Sequence, residues 1–150
     1  MPGSRPSEII RNFPVILRSI EGLKAKYDGF NFRIILRNNI GLPQQQYVDV
    51  IEDHHNRYQA MKNCDLLITC SGTASLEATF LGIPQVFFNR PSWVDFNLMR
   101  HFISIKELNL ANLYFGQKIV PVHIDRRLDH LIKVVTDDIL KVFNSPTGLK

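Results

Sequence analysis

The sequence predicts an α/β fold, a Rossmann-like parallel sheet flanked by helices. Three observations carry that expectation. Short apolar runs of strand length alternate with helical patterns along the whole chain. Runs such as Asp65-Leu66-Leu67-Ile68-Thr69-Cys70 and Gln85-Val86-Phe87-Phe88 are almost continuously apolar, as strands covered on both faces are. One of them turns abruptly through Ser71-Gly72-Thr73 into a helical pattern that Gly82 and Pro84 stop.

The elements follow in order. Met1-Pro2-Gly3-Ser4-Arg5 has turn chemistry, and Pro6-Ser7-Glu8 reads as the first turn of a helix. Ile9, Ile10, Phe13, Ile16, Leu17, Ile20 and Leu23 then keep a helical period to about Tyr27. Pro14 interrupts it and should kink the helix or mark its true start. Phe32 to Leu36 and Tyr47 to Ile51 are strand-like. The stretch Asn38–Gln46 between them, with Gly41 and Pro43, is shorter than the dozen or more residues of a usual parallel crossover. Arg57 to Asn63 suits a short helix with Tyr58, Ala60 and Met61 partly buried. After the second core strand, Trp93, Phe96, Met99, Phe102 and Ile103 recur at helical spacing, a stripe expected in the core. Lys118 to Val122 reads as a last strand and Leu128 to Phe143 as a closing amphipathic helix. Neither an internal repeat nor a low-complexity tract interrupts this order.

Composition narrows the classes. A chain of 150 residues holds one domain with a real core but not two of ordinary size. With 45% apolar and 21% charged residues it belongs with globular chains, not disordered ones. Its apolar stretches fall well short of the ~20 residues of a membrane span. The start lacks a basic segment followed by an apolar one, so no signal peptide is read. Cys64 and Cys70 match no zinc spacing and read as reduced, buried thiols of a cytosolic protein. A net charge of +4, spread along the chain, favours anionic partners such as phosphates and acidic lipid surfaces. It is too diffuse to argue for nucleic acid.

The Ser71-Gly72-Thr73 turn carries the chemistry. A strand that turns sharply into a helix aims free backbone N–H groups and a positive dipole end at one point, which suits phosphate. Glu77, one turn on, can accept hydrogen bonds from two sugar hydroxyls. Diphosphate cradle and diol acceptor together suit a nucleotide-sugar. For the triplet alone, an ordinary strand–turn–helix with Ser71 as cap is the stronger reading. A parallel sheet gathers its ligands at the carboxyl ends of its strands, where Ser71, Gly72 and Thr73 stand. If a strand leads into Pro2, then Gly3, Ser4 and Arg5 stand there too. Arg5 would bring a fixed positive fork to a diphosphate, and Gly3 would allow close backbone approach. A domain that opens on its own ligand loop reads as the second half of something larger.

With Pro2-Gly3-Ser4-Arg5 and Glu8, the Ser71-to-Glu77 run, Gly82-Ile83-Pro84, and Asn112-Leu113 before Gly116, the chain resembles lipid-A-disaccharide synthases. The similarity runs from Met1 to about Ile132, and its first two blocks lie about seventy residues apart. The resemblance implies one half of a GT-B glycosyltransferase, two Rossmann-like halves facing a cleft. Residues 1–150 would be the carboxyl-terminal, UDP-sugar (donor)-binding domain, without the amino-terminal acceptor domain. The implied reaction joins UDP-2,3-diacylglucosamine to 2,3-diacylglucosamine 1-phosphate (lipid X), with inversion, giving the lipid A disaccharide and UDP. The implied donor contacts are Gly3, Ser4, Arg5, Ser71, Gly72, Thr73, Glu77 and Asn112. No cofactor or metal is implied, and no Asp-x-Asp pair is present to hold a divalent ion. The general base is expected in the acceptor half, so no catalytic residue is assigned within the chain. Implied partners are the two lipid substrates, an anionic membrane surface at the inner face of the bacterial inner membrane, and an acceptor domain or a second copy.

Two departures stand out. Gln117 occupies a position where the family commonly has Arg, and Pro121-Val122-His123-Ile124-Asp125 replaces a Pro-Glu-Leu-Leu-Gln run. These and the compressed Asn38–Gln46 segment keep two alternatives open: a non-catalytic nucleotide-binding remnant, or the donor half of another split UDP-sugar transferase. His54, His55, His101, His123 and His130 show no base–nucleophile or ligand spacing and read as surface or structural residues.

Overall fold

Apolar periodicity is converted into eleven elements in the computed structural model, which describes residues 1–36, 48–51, 56–102 and 109–144. They are α1 (Pro6–Lys24), β1 (Phe32–Ile35), β2 (Val48–Ile51), α2 (Arg57–Lys62), β3 (Leu67–Thr69), α3 (Gly72–Phe80), β4 (Gln85–Asn89), α4 (Trp93–Phe102), α5 (Leu110–Phe115), β5 (Val122–Ile124) and α6 (Leu128–Asn144). Every strand pairing is parallel. β1 pairs with β2 from Phe32↔Val48 to Ile35↔Ile51, and β4 lies between β3 and β5. The Rossmann-like α/β class read from the sequence is the class observed.

The described strands form a two-stranded sheet, β1-β2, and a three-stranded one, β3-β4-β5. Helices cover the central strands on both faces, which is why β3 and β4 are apolar on both sides. On one face, Val86 and Phe88 of β4 pack with Val15, Ile16, Ile20 and Leu23 of α1 and with Leu131, Val135 and Ile139 of α6. On the other, Ile35 and Leu67 meet Met61 of α2 and Ala78 of α3. Phe88 is fully buried. Full burial of a side chain of that size contributes roughly 1.5–3 kcal/mol.

α1 runs unbroken through Pro14. Pro14 leaves the carbonyl of Ile10 without its helical donor. Ile10 is 66% exposed, so water can serve in its place. The helix is held at its start by Pro6 and by Glu8, whose Oε2 accepts from the N–H groups of Ser4 and Arg5 at 3.3 Å each.

Three expectations shift. The last strand begins at Val122, not Lys118, because the N–H groups of Ile119 and Val120 are already bonded to Asn112 Oδ1 at 2.9 and 2.8 Å. Trp93 opens α4 but lies 63% exposed, so the expected core stripe does not hold at its first residue; the side chains of Met99 and Phe102, and Ile103, lie outside the described residues. Tyr58 is exposed, whereas Met61 is fully buried. The Asn38–Gln46 segment lies outside the described residues; β1 and β2 nonetheless pair in parallel.

Asn12 ties the two loops that flank the sheet's carboxyl edge. It is 1% exposed; its Nδ2 donates to Pro2 O at 3.1 Å and its Oδ1 accepts from Arg90 N at 2.8 Å. No spacing in the sequence announces it. Asn12→Ala strands one donor and one acceptor, each worth about 1–3 kcal/mol when buried, so it should lower stability by about 2–4 kcal/mol. A fall in the urea midpoint at unchanged slope checks this.

Candidate functional site

The carboxyl ends of the strands and the start of α3 form a small cleft of about 140 Å³. β3 ends at Thr69, and Ser71 caps α3 with its Oγ accepting from Ala74 N at 3.5 Å. Thr69 Oγ1 in turn accepts from Ser71 N at 3.2 Å. Those bonds fix the turn. The N–H groups of Gly72 and Thr73, the first of α3, find no acceptor among the described residues. Gly72 also has a packing reason: a Cβ there would lie 3.2 Å from Leu110 Cγ, where α5 crosses the start of α3.

Glu77 projects into the same cleft, and its partners were not legible in the sequence. Its Oε1 accepts from Arg57 Nη2 at 2.7 Å and from the Tyr58 hydroxyl at 2.9 Å. Arg57 Nη2 also lies 2.7 Å from the Tyr58 oxygen, and the guanidinium stacks over the Tyr58 ring at 4.6 Å. The Tyr58 hydrogen bond raises the Arg57 pKa against the burial that opposes it, and Glu77's charge adds to the rise. Arg57 is therefore a permanent cation within a pair that cancels the Glu77 charge. Glu77 Oε2 carries no hydrogen bond among the described residues.

The cleft brings together Gly3, Ser4, Ser71, Thr73 and Glu77 from the expected set and adds Arg57; Gly72, between Ser71 and Thr73, is not among its lining residues. Gly3 has φ of 131°, and a Cβ there would stand 3.1 Å from Glu8 Cβ, so close approach and conformation both require glycine. Glu8 already occupies the Ser4 and Arg5 amides, so these two N–H groups are not open to a ligand. Arg5 is not among the lining residues; its side chain is 79% exposed and reaches Glu8 Oε1 at 3.7 Å.

Asn112 is not brought to the cleft. It is buried, with Nδ2 donating to Val120 O at 2.9 Å and Oδ1 taking the two N–H groups that end the last loop. Asn109 anchors the same region: Nδ2 donates to Ser75 Oγ at 2.8 Å, and Oδ1 accepts from Ala111 and Asn112 N–H. Ser75, within the Ser71-to-Glu77 run, is thus a buried tie between α3 and α5.

The histidines with described side chains hold structure. His123 Nε2 lies 2.6 Å from Asp138 Oδ2, and His130 Nδ1 lies 3.0 Å from Asp125 Oδ2. The Arg127 hydrogen bond holds the Asp125 carboxyl down at about 2. Burial disfavours the charged form of Asp138, but bonds from Lys141 and His123 outweigh it and lower its pKa. His54, His55 and the side chain of His101 lie outside the described residues. Burial pushes both thiols up, so neither Cys64 nor Cys70 is an activated nucleophile.

Residues 1–144 match the family model described as lipid-A-disaccharide synthetase. The chain belongs to the lipid-A-disaccharide synthetase family. It is 31% identical over 126 residues to the lipid-A-disaccharide synthase of Geobacter sulfurreducens, covering 80% of this chain and 33% of that protein. It is 30% identical over 122 residues to the synthase of Helicobacter pylori strain Shi470, covering 77% of this chain and 34% of that protein. The chain thus spans about a third of the length of the curated relatives it matches. None of the solved structures matches it.

The geometry separates contact from support. Asn112→Ala should lower stability by about 2–4 kcal/mol, since it strands buried partners. Where the variant remains folded, its affinity for a nucleotide should stay at the parent value. A thermal melt beside a calorimetric UDP titration checks both halves.

Proposed function

We propose that residues 1–150 form the donor-binding domain of a two-domain glycosyltransferase of lipid A synthesis. In this reading the chain holds UDP-2,3-diacylglucosamine while its sugar passes to 2,3-diacylglucosamine 1-phosphate. The observation that carries the reading is that Thr73 at the start of α3, Arg57 and Glu77 line one cleft, with the Gly72 and Thr73 N–H groups and Glu77 Oε2 unbonded among the described residues, in a chain of this family.

The acceptor hydroxyl attacks the anomeric carbon of the donor with inversion; the bond to the UDP oxygen breaks, and that oxygen leaves with the electron pair. Negative charge grows on the diphosphate as it departs. The Gly72 and Thr73 N–H groups and the Arg57 guanidinium are positioned to receive it, fixed in advance and partly shielded from water. Glu77 Oε2 accepts from the ribose hydroxyls, while its pairing with Arg57 spares the phosphates a facing negative charge. Gly3 and Ser4 close the cleft from the other side. The proton of the acceptor hydroxyl goes to a general base outside these residues, in the acceptor-binding domain. Among the described residues no helix is long and apolar enough to cross a membrane. The excess of positive charge supports peripheral work at an anionic cytoplasmic membrane face.

The chain alone should bind UDP weakly and transfer no sugar, read by calorimetry and a disaccharide assay. Glu77→Ala should weaken UDP binding by roughly 1.5–3 kcal/mol, the range for hydrogen bonds to a charged group. Arg57→Ala should cost more, because it removes a donor and leaves Glu77 unpaired beside the phosphates. Arg5→Ala should change affinity little. Parent affinity in both Glu77→Ala and Arg57→Ala would remove the cleft from the nucleotide site. Transfer by the chain alone would overturn the half-enzyme reading.

A further inference from the structure

Four of the described arginines have a carboxylate partner: Arg5 with Glu8, Arg18 with Asp129, Arg57 with Glu77 and Arg127 with Asp125. Arg11, Arg90 and Arg126 have none among the described residues, and they meet at the carboxyl ends of β4 and β5. Asp125 N donates to Asn89 O at 3.3 Å, so Arg90 and Arg126 follow directly on paired strand ends. Arg11 reaches them from α1. Its Nε donates to Arg90 O at 3.3 Å, and Arg90 Nε donates to Arg126 O at 3.0 Å.

These bonds fix the arms and spare the tips. Each uses an Nε, which leaves the Nη groups of Arg11 and Arg90 without a bond among the described residues. The Arg90 main chain is clamped as well, its N–H by Asn12 Oδ1 at 2.8 Å and its C=O by Arg11. Arg126 is exposed and can swing toward the same place. The nearby carboxylates are already committed. Asp125 is held by Arg127 at 2.7 Å and by His130 at 3.0 Å, and Asp95 accepts from Ser92 Oγ at 2.6 Å. Like charges gathered in this way repel one another, and an anion placed among them removes that cost.

The number and form of the cations select the anion. A phosphate monoester carries about −1.5 to −2 at neutral pH, more than one guanidinium neutralises, and its terminal oxygens suit two planar forks at once. In the reading above, the donor diphosphate has its own partners in the α3 cleft, across the Pro2-Gly3 turn that Asn12 ties to Arg90. α4 opens three residues after Arg90 and exposes Trp93, Val94 and Leu98, so apolar surface starts beside the arginines. An acylated sugar phosphate fits that combination. We propose that Arg11, Arg90 and Arg126 form a second anion site, which takes the phosphate monoester of the acceptor sugar. The site rests on the two-domain transferase reading and adds to it that the donor-binding domain also holds the charged end of the acceptor.

The test follows the arginine Nε–Hε resonances of the isotopically labelled chain. The probes are 2,3-dibutyrylglucosamine 1-phosphate (a water-soluble, short-chain acceptor), the same sugar without its phosphate, inorganic phosphate, and vesicles of phosphatidylglycerol. The sugar phosphate should shift Arg11 and Arg90, and the sugar without phosphate should not. Its Kd should rise about tenfold in Arg90→Ala and about threefold in Arg90→Lys, which keeps the charge but loses the fork. Arg18→Ala, which removes an arginine held by Asp129, should match the parent. A thermal melt shows that each variant is folded. With the chain saturated in UDP, the sugar phosphate should still shift Arg90. Parent affinity in both Arg90 variants would overturn the proposal, as would displacement of the sugar phosphate by UDP. Equal affinity for inorganic phosphate would overturn the assignment to an acceptor sugar, and so would shifts produced by the vesicles alone. The arms without UDP stand by themselves, so a failed anion site and a failed nucleotide reading give different results.

Discussion

A parallel sheet sends the carboxyl end of every strand to the same edge, and the candidate site depends on that constraint. β3 is the strand that matters most. Its three residues pair with β4 on one side and bond to Met1 on the other. It therefore delivers the Ser71 turn and the Pro2-Gly3 turn to adjacent positions, although they are far apart in the chain. Asn12, bridging Pro2 to Arg90, holds the next loop at the same edge. The cleft is a by-product of strand direction, and the side chains then specialise it.

Electrostatics decide what that cleft can accept. A bare carboxylate at Glu77 would repel a phosphate across a few ångströms. Paired with Arg57 at 2.7 Å it becomes close to neutral, and the N–H groups of Gly72 and Thr73 leave the balance positive. The pair is partly buried, with side-chain exposures of 24% and 20%, so water screens it less than a surface pair. One carboxylate oxygen binds the arginine and tyrosine while the other has no bond among the described residues. Glu77 can thus be anchored and still accept from a diol.

Local signals in the sequence were enough for most elements, but α5 (Leu110–Phe115) was not read from them. Apolar spacing placed α1 and α6, the continuous runs placed β3 and β4, and Ser71 with Gly82 bounded α3 within a residue or two. Gly82 adopts φ of 69°, the conformation that makes glycine a helix stop. What the sequence hid is what long-range partners decide. Arg57 meets Glu77 across twenty positions, and Asn12 meets Arg90 across seventy-eight, with no motif linking either pair. Asn112 sits in one of the blocks that carry the resemblance, yet its buried amide holds residues 119 and 120. That same demand moved the last strand to Val122. Trp93 misled for another reason: helical spacing identifies a face but not whether anything covers it.

The most direct measurement is a UDP titration followed by backbone amide chemical shifts of the labelled chain. A nucleotide diphosphate held at the start of α3 should produce its largest shifts at Gly72 and Thr73, with the Arg57 side-chain resonance moving at the same concentration. Shifts that saturate elsewhere while Gly72 and Thr73 stay fixed would contradict the account.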